Sequence, residues 1–574
     1  MADHFYGMPT RRDIGNSVFK PHPARVLTTF NAGKLVPIWS REMLPGESLE
    51  IDPAFVLRSQ TPLRPVFDDA YFDLYAFYVP NRLVLDTWEQ VMGANKTSYW
   101  VDDTEHVVPS CSVRVYPGSV ADYFGLPIFA DDQGVYQYQT VNALRFRMYA
   151  LIFNEWFRDQ NTMSPAACPT NDTDVSNGDE PNDPFLDAYK GGNLLPVCRL
   201  PDYFSVCTPG PLKATNVVTL NLPDAPIISG IRYGDDGYYQ LPGTKPLDLQ
   251  FAQRLSMVNN PDEPTQVDSL AADVVLGIQA DTTDVGGVTG IYNSYGGTHD
   301  SISIGTALMA DNSAVGISIN DFRFAVQLQK LLERDLFGTR YTEILQSHFN
   351  VKTQDARLQR PELFGWSRFR LNQQQVAQTS GTAYDSSGDP VSTPLGDLAA
   401  YSLTVSAGQK WRIASPEHGY VIILGTVRVK HSYQQGLERS WSRFGRYDFA
   451  WPEFVGLGNQ PVYTKELYSS SSVGNQVFGY QEYAADYRYN RKICTGEMRS
   501  GLSNSLDSWH YADYYDNIPT LGQAWMMDNS DILIDRTLAV SSELANQFFG
   551  AFDFATTLTT WLPTYSIPGY VDHF

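Results

Sequence analysis

Residues 420–430 read YVIILGTVRVK, and this stretch decides the fold class. In its second half apolar and polar side chains alternate, which is the two-residue period of a β-strand. The apolar run within it, residues 421–427, is far too short to span a bilayer. The stretch therefore predicts a strand in the core of a mainly β protein.

The rest of the chain also favours a mainly β core with few helices. Aromatic residues make up 13% of the sequence, and 43 Gly and 35 Pro interrupt it frequently, which favours short strands joined by many loops. Residues 34–39 and 71–79 predict two further strands. A helix is expected within 141–160, because Leu144, Met148 and Leu151 have helical spacing and no Gly or Pro intervenes.

Changes in composition divide the chain into four segments. Residues 1–27 carry basic side chains and prolines without strand or helix periodicity, so we expect an N-terminal arm. Residues 28–214 and 321–574 are expected to form the two parts of one core, and the helix within 141–160 belongs to the first part. Between them, residues 215–320 hold 12 Asp and Glu against 3 Lys and Arg, which predicts a solvent-facing acidic insertion.

The formal charge and the cysteines limit the class of protein. The chain has 42 Lys and Arg against 64 Asp and Glu, a net charge of −22, which excludes a protein whose whole surface coats nucleic acid. Any basic face must therefore be local. Five cysteines without a CxxC pair predict reduced thiols, and residues 1–16 contain no apolar stretch of the kind found in signal peptides.

The sequence contains no motif of a common enzyme class. HExxH, GxSxG and GxxxxGK[ST] are absent, so we expect no enzyme, and nothing nominates a cofactor. We interpret His348 and His510 as structural histidines. The acidic loop 172–183 superficially resembles a calcium loop, but Asn177 replaces the tight-turn glycine. A solvated loop is the preferred interpretation, and no metal site is predicted.

Collinear blocks along the chain resemble the major capsid proteins of gokushoviruses, a group of the Microviridae. The first half contains 29–33 (TFNAG), 35–38 (LVPI), 61–65 (TPLRP), 77–83 (FYVPNRL) and 153–160 (FNEWFRDQ). The second half adds the most specific blocks, 331–335 (LLERD), 338–345 (GTRYTEIL), 347–349 (SHF) and 355–362 (DARLQRPE). Further blocks at 479–482, 487–489, 506–510 and 568–573 extend the resemblance over nearly the whole chain, with 215–320 as its chief departure.

The resemblance implies an eight-stranded viral jelly-roll β-barrel with long loop insertions and a few short helices. It also implies that sixty copies of the chain build a T=1 icosahedral shell around circular single-stranded DNA. Other implied partners are a small basic DNA-binding virion protein, a minor pilot protein and a bacterial surface receptor. The expected location is the virion, assembled in the cytoplasm of the host bacterium, and residues 215–320 are our candidate for an outward-facing insertion used in host attachment.

A shell around DNA needs local cations on its inner wall, and two segments besides the arm supply candidates. Residues 428–446 hold five basic side chains against Glu438 alone, a local charge of +4. Here and in 487–492 cations alternate with rings, a combination that pairs phosphates while bases stack on aromatic faces. The candidates are Arg439, Trp441, Arg443, Phe444, Arg446, Arg488, Arg491 and Lys492, with Arg11, Arg12, Lys20 and Arg25 on the arm. Composition leaves open that the arginines form ion pairs between subunits and that the arm is a solvated tail.

Contacts between subunits are expected to use a third basic group and the aromatic C-terminal part. The third group consists of Arg357, Arg360, Arg368 and Arg370. Residues 548–561 are rich in aromatic and apolar side chains, which are enriched in the desolvated centres of interfaces. The C-terminal part of the core is therefore expected to contribute intersubunit segments.

The main alternative from another class is a secreted β-sandwich that binds glycans or hydrolyses them. The aromatic and acidic content also fits this class. A glycosidase needs two carboxylates facing one cleft, roughly 5–10 Å apart. The sequence nominates no such pair, and no signal peptide supports secretion.

Overall fold

The computed structural model describes residues 17–94, 106–131, 134–177, 183–213, 227–232, 238–239, 277–279, 290–292, 306–310, 319–335, 341–351, 359–377, 387, 398–406 and 408–562. In chain order its strands are β1 (Ser17–Phe19), β2 (Ala24–Phe30), β3 (Val36–Met43), β4 (Ser48–Ser59), β5 (Ala70–Pro80), β6 (Ser110–Arg114), β7 (Tyr138–Asn142), β8 (Val175–Ser176), β9 (Ile227–Arg232), β10 (Tyr238–Tyr239), β11 (Gly277–Gln279), β12 (Gly290–Tyr292), β13 (Thr306–Ala310), β14 (Glu362–Arg370), β15 (Gln373–Ala377), β16 (Leu398–Ser402), β17 (Thr404–Ser406), β18 (Trp411–Ala414), β19 (Gly419–Val429), β20 (Asn459–Tyr463), β21 (Val477–Glu482) and β22 (Phe548–Thr560). Its α-helices are α1 (Trp88–Val91), α2 (Val120–Tyr123), α3 (Leu144–Ile152), α4 (Pro184–Asp187), α5 (Ile319–Asp335), α6 (Tyr341–Phe349), α7 (Thr464–Leu467), α8 (Gln523–Met526) and α9 (Ser530–Asp535). Within these described ranges no helix has both the length and the apolar character needed to cross a membrane.

Two antiparallel sheets face each other across a shared core. In the first sheet β1 and β2 pair end to end along β22, β22 pairs with β4, and β17 and β18 pair end to end along the other edge of β4. The second sheet has the order β14-β5-β19-β3. The described strands of these sheets therefore occupy eight strand positions, four in each sheet, and successive strands β3, β4 and β5 alternate between the sheets.

The mainly β, jelly-roll-like fold expected from the sequence is confirmed, with one difference in its closure. The two sheets keep separate hydrogen-bond networks throughout the described ranges, so they form an open sandwich and not a closed barrel. Side chains, and not strand pairing, join the layers: Phe55 of β4 lies edge-on to Phe72 of β5, with ring centroids 5.1 Å apart. Such edge-to-face ring pairs stabilise the contact between the layers beyond the apolar area that they bury.

β19 is buried along its whole length because both faces of its sheet are covered. Ile423 and Val427 lie in the core between the two sheets, together with Phe552 of β22. The intervening Ile422 and Leu424 lie in a second core on the opposite face. Successive side chains of a strand point to opposite faces, so a strand covered on both sides must be apolar at nearly every position. The sequence of residues 420–430 meets this requirement.

α3 covers the opposite face of the second sheet and continues into a π-helical turn, Phe153–Phe157. The side chains of α3 that are fully buried include Met148 and Tyr149. The Tyr149 hydroxyl donates a hydrogen bond to the carbonyl oxygen of Leu35 (2.7 Å) and accepts one from the backbone N–H of Leu195 (3.0 Å). This buried hydroxyl therefore connects the helix to two other segments of the chain.

Residues 173–177 of the acidic loop beside α3 are held by hydrogen bonds. Arg147 is fully buried and donates to carbonyl oxygens that include that of Thr173 (3.2 Å), and burial lowers the pKa of its guanidinium. The Asp174 carboxylate accepts the backbone N–H of Ser110 (2.6 Å), and the Asn177 side-chain oxygen accepts the backbone N–H of Arg114, the last residue of β6 (2.9 Å). These loop side chains thus position β6.

Residues Ala214–Asp335 form a compact unit by themselves, and the rest of the chain forms the other unit. Within Ala214–Asp335, β9 pairs with β10 and β13, and β11 pairs with β12, all antiparallel. The unit ends with α5. It contains the whole segment, residues 215–320, that the acidic composition marks as an insertion.

The N-terminal segment differs in one respect from the sequence expectation. Residues 1–27 show no strand period in the sequence, whereas β1 and the first part of β2 lie within this range and pair with β22. Their side chains alternate only between half-buried and exposed positions up to Phe30, so the sequence carries little hydrophobic contrast. Backbone hydrogen bonds to β22 hold these strands in the sheet.

We expect Ile423→Ala on β19 to lower the free energy of unfolding by about 2–5 kcal/mol, because it leaves a cavity in the core between the sheets. Urea denaturation of the purified chain measures this change. Val405→Thr on β17 is the matched control, since Val405 is exposed and threonine keeps the β-branched shape. If Ile423→Ala and Val405→Thr had equal urea midpoints, the burial of β19 on both faces would be contradicted.

Candidate nucleic-acid interface

Residues 439–449, called the cation-and-ring segment below, are shaped by local hydrogen bonds and not by long elements. They contain two 3-10 turns, Arg439–Ser442 and Arg446–Asp448. The Asp448 carboxylate accepts the backbone N–H groups of Gly445 (2.7 Å) and Phe444 (2.9 Å). These two hydrogen bonds hold the pKa of Asp448 below its usual value. They also fix the bend that presents the rings of the segment.

Four aromatic rings of the cation-and-ring segment lie on the surface, and Phe449, 50% exposed, is the least exposed of them. Trp441 is 72% exposed, Phe444 is 90% exposed and Tyr447 is 72% exposed. Single exposed apolar side chains are ordinary, but a group of large rings in one short segment marks an interaction surface. The rings therefore provide faces on which a planar group can stack.

The first two arginines of the segment are neutralised within the chain. Arg439 lies 3.4 Å from the carboxylate of Glu466. Arg443 pairs with Asp486, and its guanidinium lies 4.4 Å from the centre of the Tyr487 ring. They line a surface cleft of about 230 Å³. Their ion pairs hold the segment against α7 and against the turn that follows β21.

Arg446 has a different environment. Its guanidinium lies 4.9 Å from the centre of the Trp451 ring and 5.8 Å from that of Tyr447. Among the described residues it forms no salt bridge with a carboxylate. A guanidinium on aromatic faces keeps donors for a phosphate, because ring contacts use its face and leave its N–H groups available.

The second predicted cluster, residues 487–492, follows directly after the partner of Arg443. Arg488 pairs with Glu482 at the surface (2.6 Å). Lys492 pairs with Asp68, and Arg491 donates to a backbone carbonyl oxygen (2.9 Å). The structure therefore brings the two predicted clusters together, and it pairs several of their cations with carboxylates of the same chain.

The arm is described only in part. Arg25 on β2 lies 3.6 Å from the carboxylate of Asp553 on β22, and both side chains are largely exposed. Lys20, between β1 and β2, is also exposed. Arg11 and Arg12 lie outside the described residues.

Three of the four arginines expected at subunit contacts are described. Arg370 pairs with Asp69 (2.6 Å). The Arg360 guanidinium lies 5.0 Å from the centre of the Trp156 ring. Arg357 lies outside the described residues, and Arg368 makes an internal pair that the sequence analysis did not identify.

That internal pair centres on Asp73, a fully buried carboxylate on β5. Arg368 of β14 donates two hydrogen bonds to it (2.6 and 2.9 Å), and Arg428 of β19 donates a third (2.7 Å). Arg428 is buried, so it adds no charge to the basic surface in which the sequence placed it. The sequence does contain a signal for this ion pair. Asp73 is the one charged residue of β5 and Arg428 the one charged residue of β19, and a buried charge needs a charged partner.

A second buried ion network lies just beyond β19, and the sequence analysis did not identify it either. Nδ1 of His431 lies 2.8 Å from Asp513, and Nη1 of Arg199 lies 3.2 Å from the same carboxylate. Nε2 of His431 lies 3.7 Å from Asp528. Burial disfavours charge on His431, but the carboxylates outweigh it and raise its pKa to about 9. Burial likewise disfavours charge on Asp513, but His431 and Arg199 lower its pKa to about 2.

His510 and the five cysteines, which were also considered in the sequence, lie in environments typical of structural residues. Nδ1 of His510 accepts the backbone N–H of Ala512 (3.1 Å), and Nε2 lies 2.6 Å from the carbonyl oxygen of Met498. Burial lowers the pKa of His510. All five cysteines are free thiols, and Cys111 and Cys207 are buried. In the part of the chain that the structure describes, no cluster of His, Cys, Asp and Glu is arranged to hold a metal ion.

Comparison with known proteins gives consistent matches over nearly the whole chain. The model of a family described as "Capsid protein (F protein)" matches residues 16–570. A protein named "Capsid protein VP1" from Bdellovibrio phage phiMH2K is 34% identical over 554 residues, covering 95% of this chain and 94% of the relative. Its namesake from Chlamydia phage 1 is 33% identical over 616 residues (99% and 98%), and that from Spiroplasma virus 4 is 35% identical over 561 residues (95% and 94%).

The His431 network predicts a specific pH dependence of stability. The pKa of His431 rises from an ordinary value of 6.5 to about 9 on folding, so its contribution is complete below 6.5 and is lost as the pH rises through 9. We expect the stability difference between the wild type and His431→Gln to shrink between pH 6.5 and 9, as measured by urea denaturation. His510→Gln is the matched control. It keeps His431, so it should lose stability between pH 6.5 and 9 as the wild type does. If the free energy of unfolding of the wild type and that of His431→Gln changed equally with pH, the pH dependence could not come from His431.

Proposed function

Because this chain belongs to the capsid protein (F protein) family, we propose that sixty copies of it close into a T=1 icosahedral shell around a circular single-stranded DNA genome. The family establishes the coarser part of this statement. The chain is a major capsid protein of a gokushovirus-like phage, it assembles with copies of itself into a capsid, and its location is the virion. It is a structural protein and not an enzyme, so the glycosidase alternative from the sequence is wrong.

The cation-and-ring segment is the observation that carries the DNA-facing part of the proposal. In a chain with a net charge of −22, exposed rings at Phe444 and Tyr447 lie beside Arg446, which forms no salt bridge among the described residues. Stacking rings and phosphate-binding cations are what single-stranded DNA requires of a protein surface. We therefore place this segment on the inner wall of the shell.

Arg439 and Arg443 have a supporting role in this proposal. Their ion pairs with Glu466 and Asp486 hold the segment in position, and an arginine already paired with a carboxylate gains less from a phosphate. Direct contact with the genome falls to Arg446 and to the exposed rings. In the second cluster Arg491, which donates to a carbonyl and not to a carboxylate, is the stronger candidate than Arg488 or Lys492.

We extend the proposal to the N-terminal arm. β1 and β2 anchor the chain along β22, so the residues that precede them start from the edge of the sheet. The arm contributes Arg11, Arg12, Lys20 and Arg25 to the inner wall. Arg25 pairs with Asp553, so its charge is partly neutralised and it attracts DNA phosphates less strongly.

Contacts between subunits are proposed for Arg357, Arg360 and Arg370. Arg370 lies at the end of β14, a strand whose second edge has no partner in the described residues. Unpaired strand edges readily accept another chain. Arg368 belongs to the original group, but its guanidinium holds Asp73, so we assign it primarily to the fold of the subunit.

Residues 215–320 are proposed as the outward insertion that contacts a receptor on the host bacterium. Their acidic composition and their membership in a separate compact unit support this. A small basic DNA-binding virion protein and a minor pilot protein are the further partners that we propose inside the particle. A basic partner would offset repulsion between DNA and the acidic chain.

We expect the double variant Phe444→Ala, Arg446→Gln to form closed particles with less DNA, because a stacking face and a phosphate contact are removed together. Sedimentation measures closure, and quantitative PCR of nuclease-treated particles measures the genome per shell. Arg412→Gln is the control, since Arg412 is an exposed cation that pairs with Glu50. Wild-type genome content in the double variant would reject the DNA-facing role of the segment.

Exchanging residues 215–320 for the corresponding segment of the Chlamydia phage 1 protein should abolish attachment to the original host and leave the shell closed. The reason is that a separate compact unit is replaceable without breaking the sheets of the other unit. Binding of labelled particles to host cells and their sedimentation are the two measurements. Loss of closed particles would show that the segment belongs to the core, and unchanged attachment would show that the receptor binds elsewhere.

A further inference from the structure

A second cleft, of about 540 Å³, includes Trp441 of the cation-and-ring segment and Arg491 of the second cluster, and its geometry extends the DNA contact proposed above. Its walls come from three stretches of the chain, 434–441, 468–469 and 491–500. Its volume falls within the roughly 300–1,000 Å³ that is typical of sites for small ligands. We call it the Trp441 cleft.

Reciprocal hydrogen bonds hold the walls of the Trp441 cleft. The Gln434 amide accepts the backbone N–H of Ser500 (2.9 Å) and donates to the Ser500 hydroxyl (2.9 Å). The Gln435 amide accepts the backbone N–H of Tyr515 (2.7 Å) and donates to its carbonyl oxygen (2.9 Å). Two amides with both ends paired make the cleft a preformed site, which lowers the entropic cost of binding.

Two arginines line this cleft and lack a carboxylate partner among the described residues. Arg491 donates to the carbonyl oxygen of Tyr433 (2.9 Å), and its Nε is buried with no hydrogen-bond partner in the structure. Arg499 is exposed and forms no salt bridge in the described residues. Burial lowers the pKa of Arg491; Tyr489 and the Glu438 carboxylate act against this, and repulsion from the nearby positive charge of Arg499 adds to it. An anion between the two would relieve this repulsion.

The acidic side chain at this cleft is already engaged. Glu438 lines the cleft, and its carboxylate accepts a hydrogen bond from the Ser440 hydroxyl (2.8 Å). In the neighbouring 230 Å³ cleft, by contrast, Arg439 and Arg443 are paired with carboxylates at 4 Å or less. At the Trp441 cleft the two arginines outnumber the one carboxylate of its lining, that of Glu438, so the cleft keeps a net positive charge.

The ring of Trp441 completes the arrangement. It lines the cleft, is 72% exposed and packs against no other aromatic ring among the described residues. An acidic peptide would use the two arginines and leave the indole face without a function. A nucleotide would use both, because a base stacks on an aromatic face while its phosphate pairs with guanidinium groups.

We propose that the Trp441 cleft binds one nucleotide of single-stranded DNA, with the phosphate at Arg491 and Arg499 and the base against Trp441. This inference rests on the proposed function, in which the neighbouring segment faces the genome. It adds a defined subsite and a residue, Arg499, that the sequence analysis did not select. Binding is by stacking and charge, so the subsite accepts any of the four bases.

Fluorescence anisotropy of a labelled oligo-dT with the purified full-length chain tests the inference. We expect Trp441→Ala to weaken binding roughly 5- to 150-fold, the range for loss of one stacked base. Arg499→Gln should weaken it and reduce the slope of log K against log salt by about 0.7, the value for one phosphate contact on a single strand. Both side chains are exposed, so neither change should prevent folding, and Arg412→Gln should bind like the wild type.

The outcomes separate the inference from the proposed function. If the wild type binds the oligonucleotide but Trp441→Ala and Arg499→Gln bind it equally well, the subsite is rejected and the DNA-facing surface remains. If the wild type does not bind it, the DNA-facing part of the proposed function and the inference both fail, and the capsid role remains. If poly-glutamate displaces the oligonucleotide from wild type and from Trp441→Ala with equal strength, the cleft is a site for acidic peptides.

Discussion

The central strands β5 and β19 are covered on both faces, and the rest of the structure depends on this double burial. Every charged group on these strands must then be paired inside the protein, since an isolated buried charge costs several kcal/mol. Asp73 meets this requirement by accepting hydrogen bonds from Arg368 and Arg428, which lie on the strands to either side. The ion pairs therefore fix the order and register of β14, β5 and β19, in addition to the backbone hydrogen bonds between them.

The same constraint determines where the proposed DNA-facing surface lies. At the end of β19 the chain leaves the doubly covered sheet through the buried network of His431, Asp513 and Arg199, which joins distant segments of the sequence. The cation-and-ring segment follows immediately, so its exposed rings are presented from a rigid base and not from a free loop. A surface held in this way loses little conformational entropy on binding, which suits a contact that recurs in every subunit of a closed shell.

Much of the fold could be predicted from the sequence, because hydrophobic patterns are local. The strand expected at 420–430 is β19, Gly419–Val429, and the helix expected within 141–160 is α3 with its π-helical turn. The buried ion networks could not be predicted, because they join residues far apart in the chain and one sequence does not show which charges meet. For that reason Arg428 was counted as surface charge. Single-sequence patterns also missed β1, whose side chains are only half buried.

The account depends most on which side of the shell the cation-and-ring segment faces. Electron cryomicroscopy of DNA-filled particles, compared with empty shells, measures this directly. The account predicts that Phe444 and Arg446 lie on the inner wall and that the difference density for the genome contacts them. A map that places these two side chains on the outer surface, or that shows the genome density elsewhere, would contradict it.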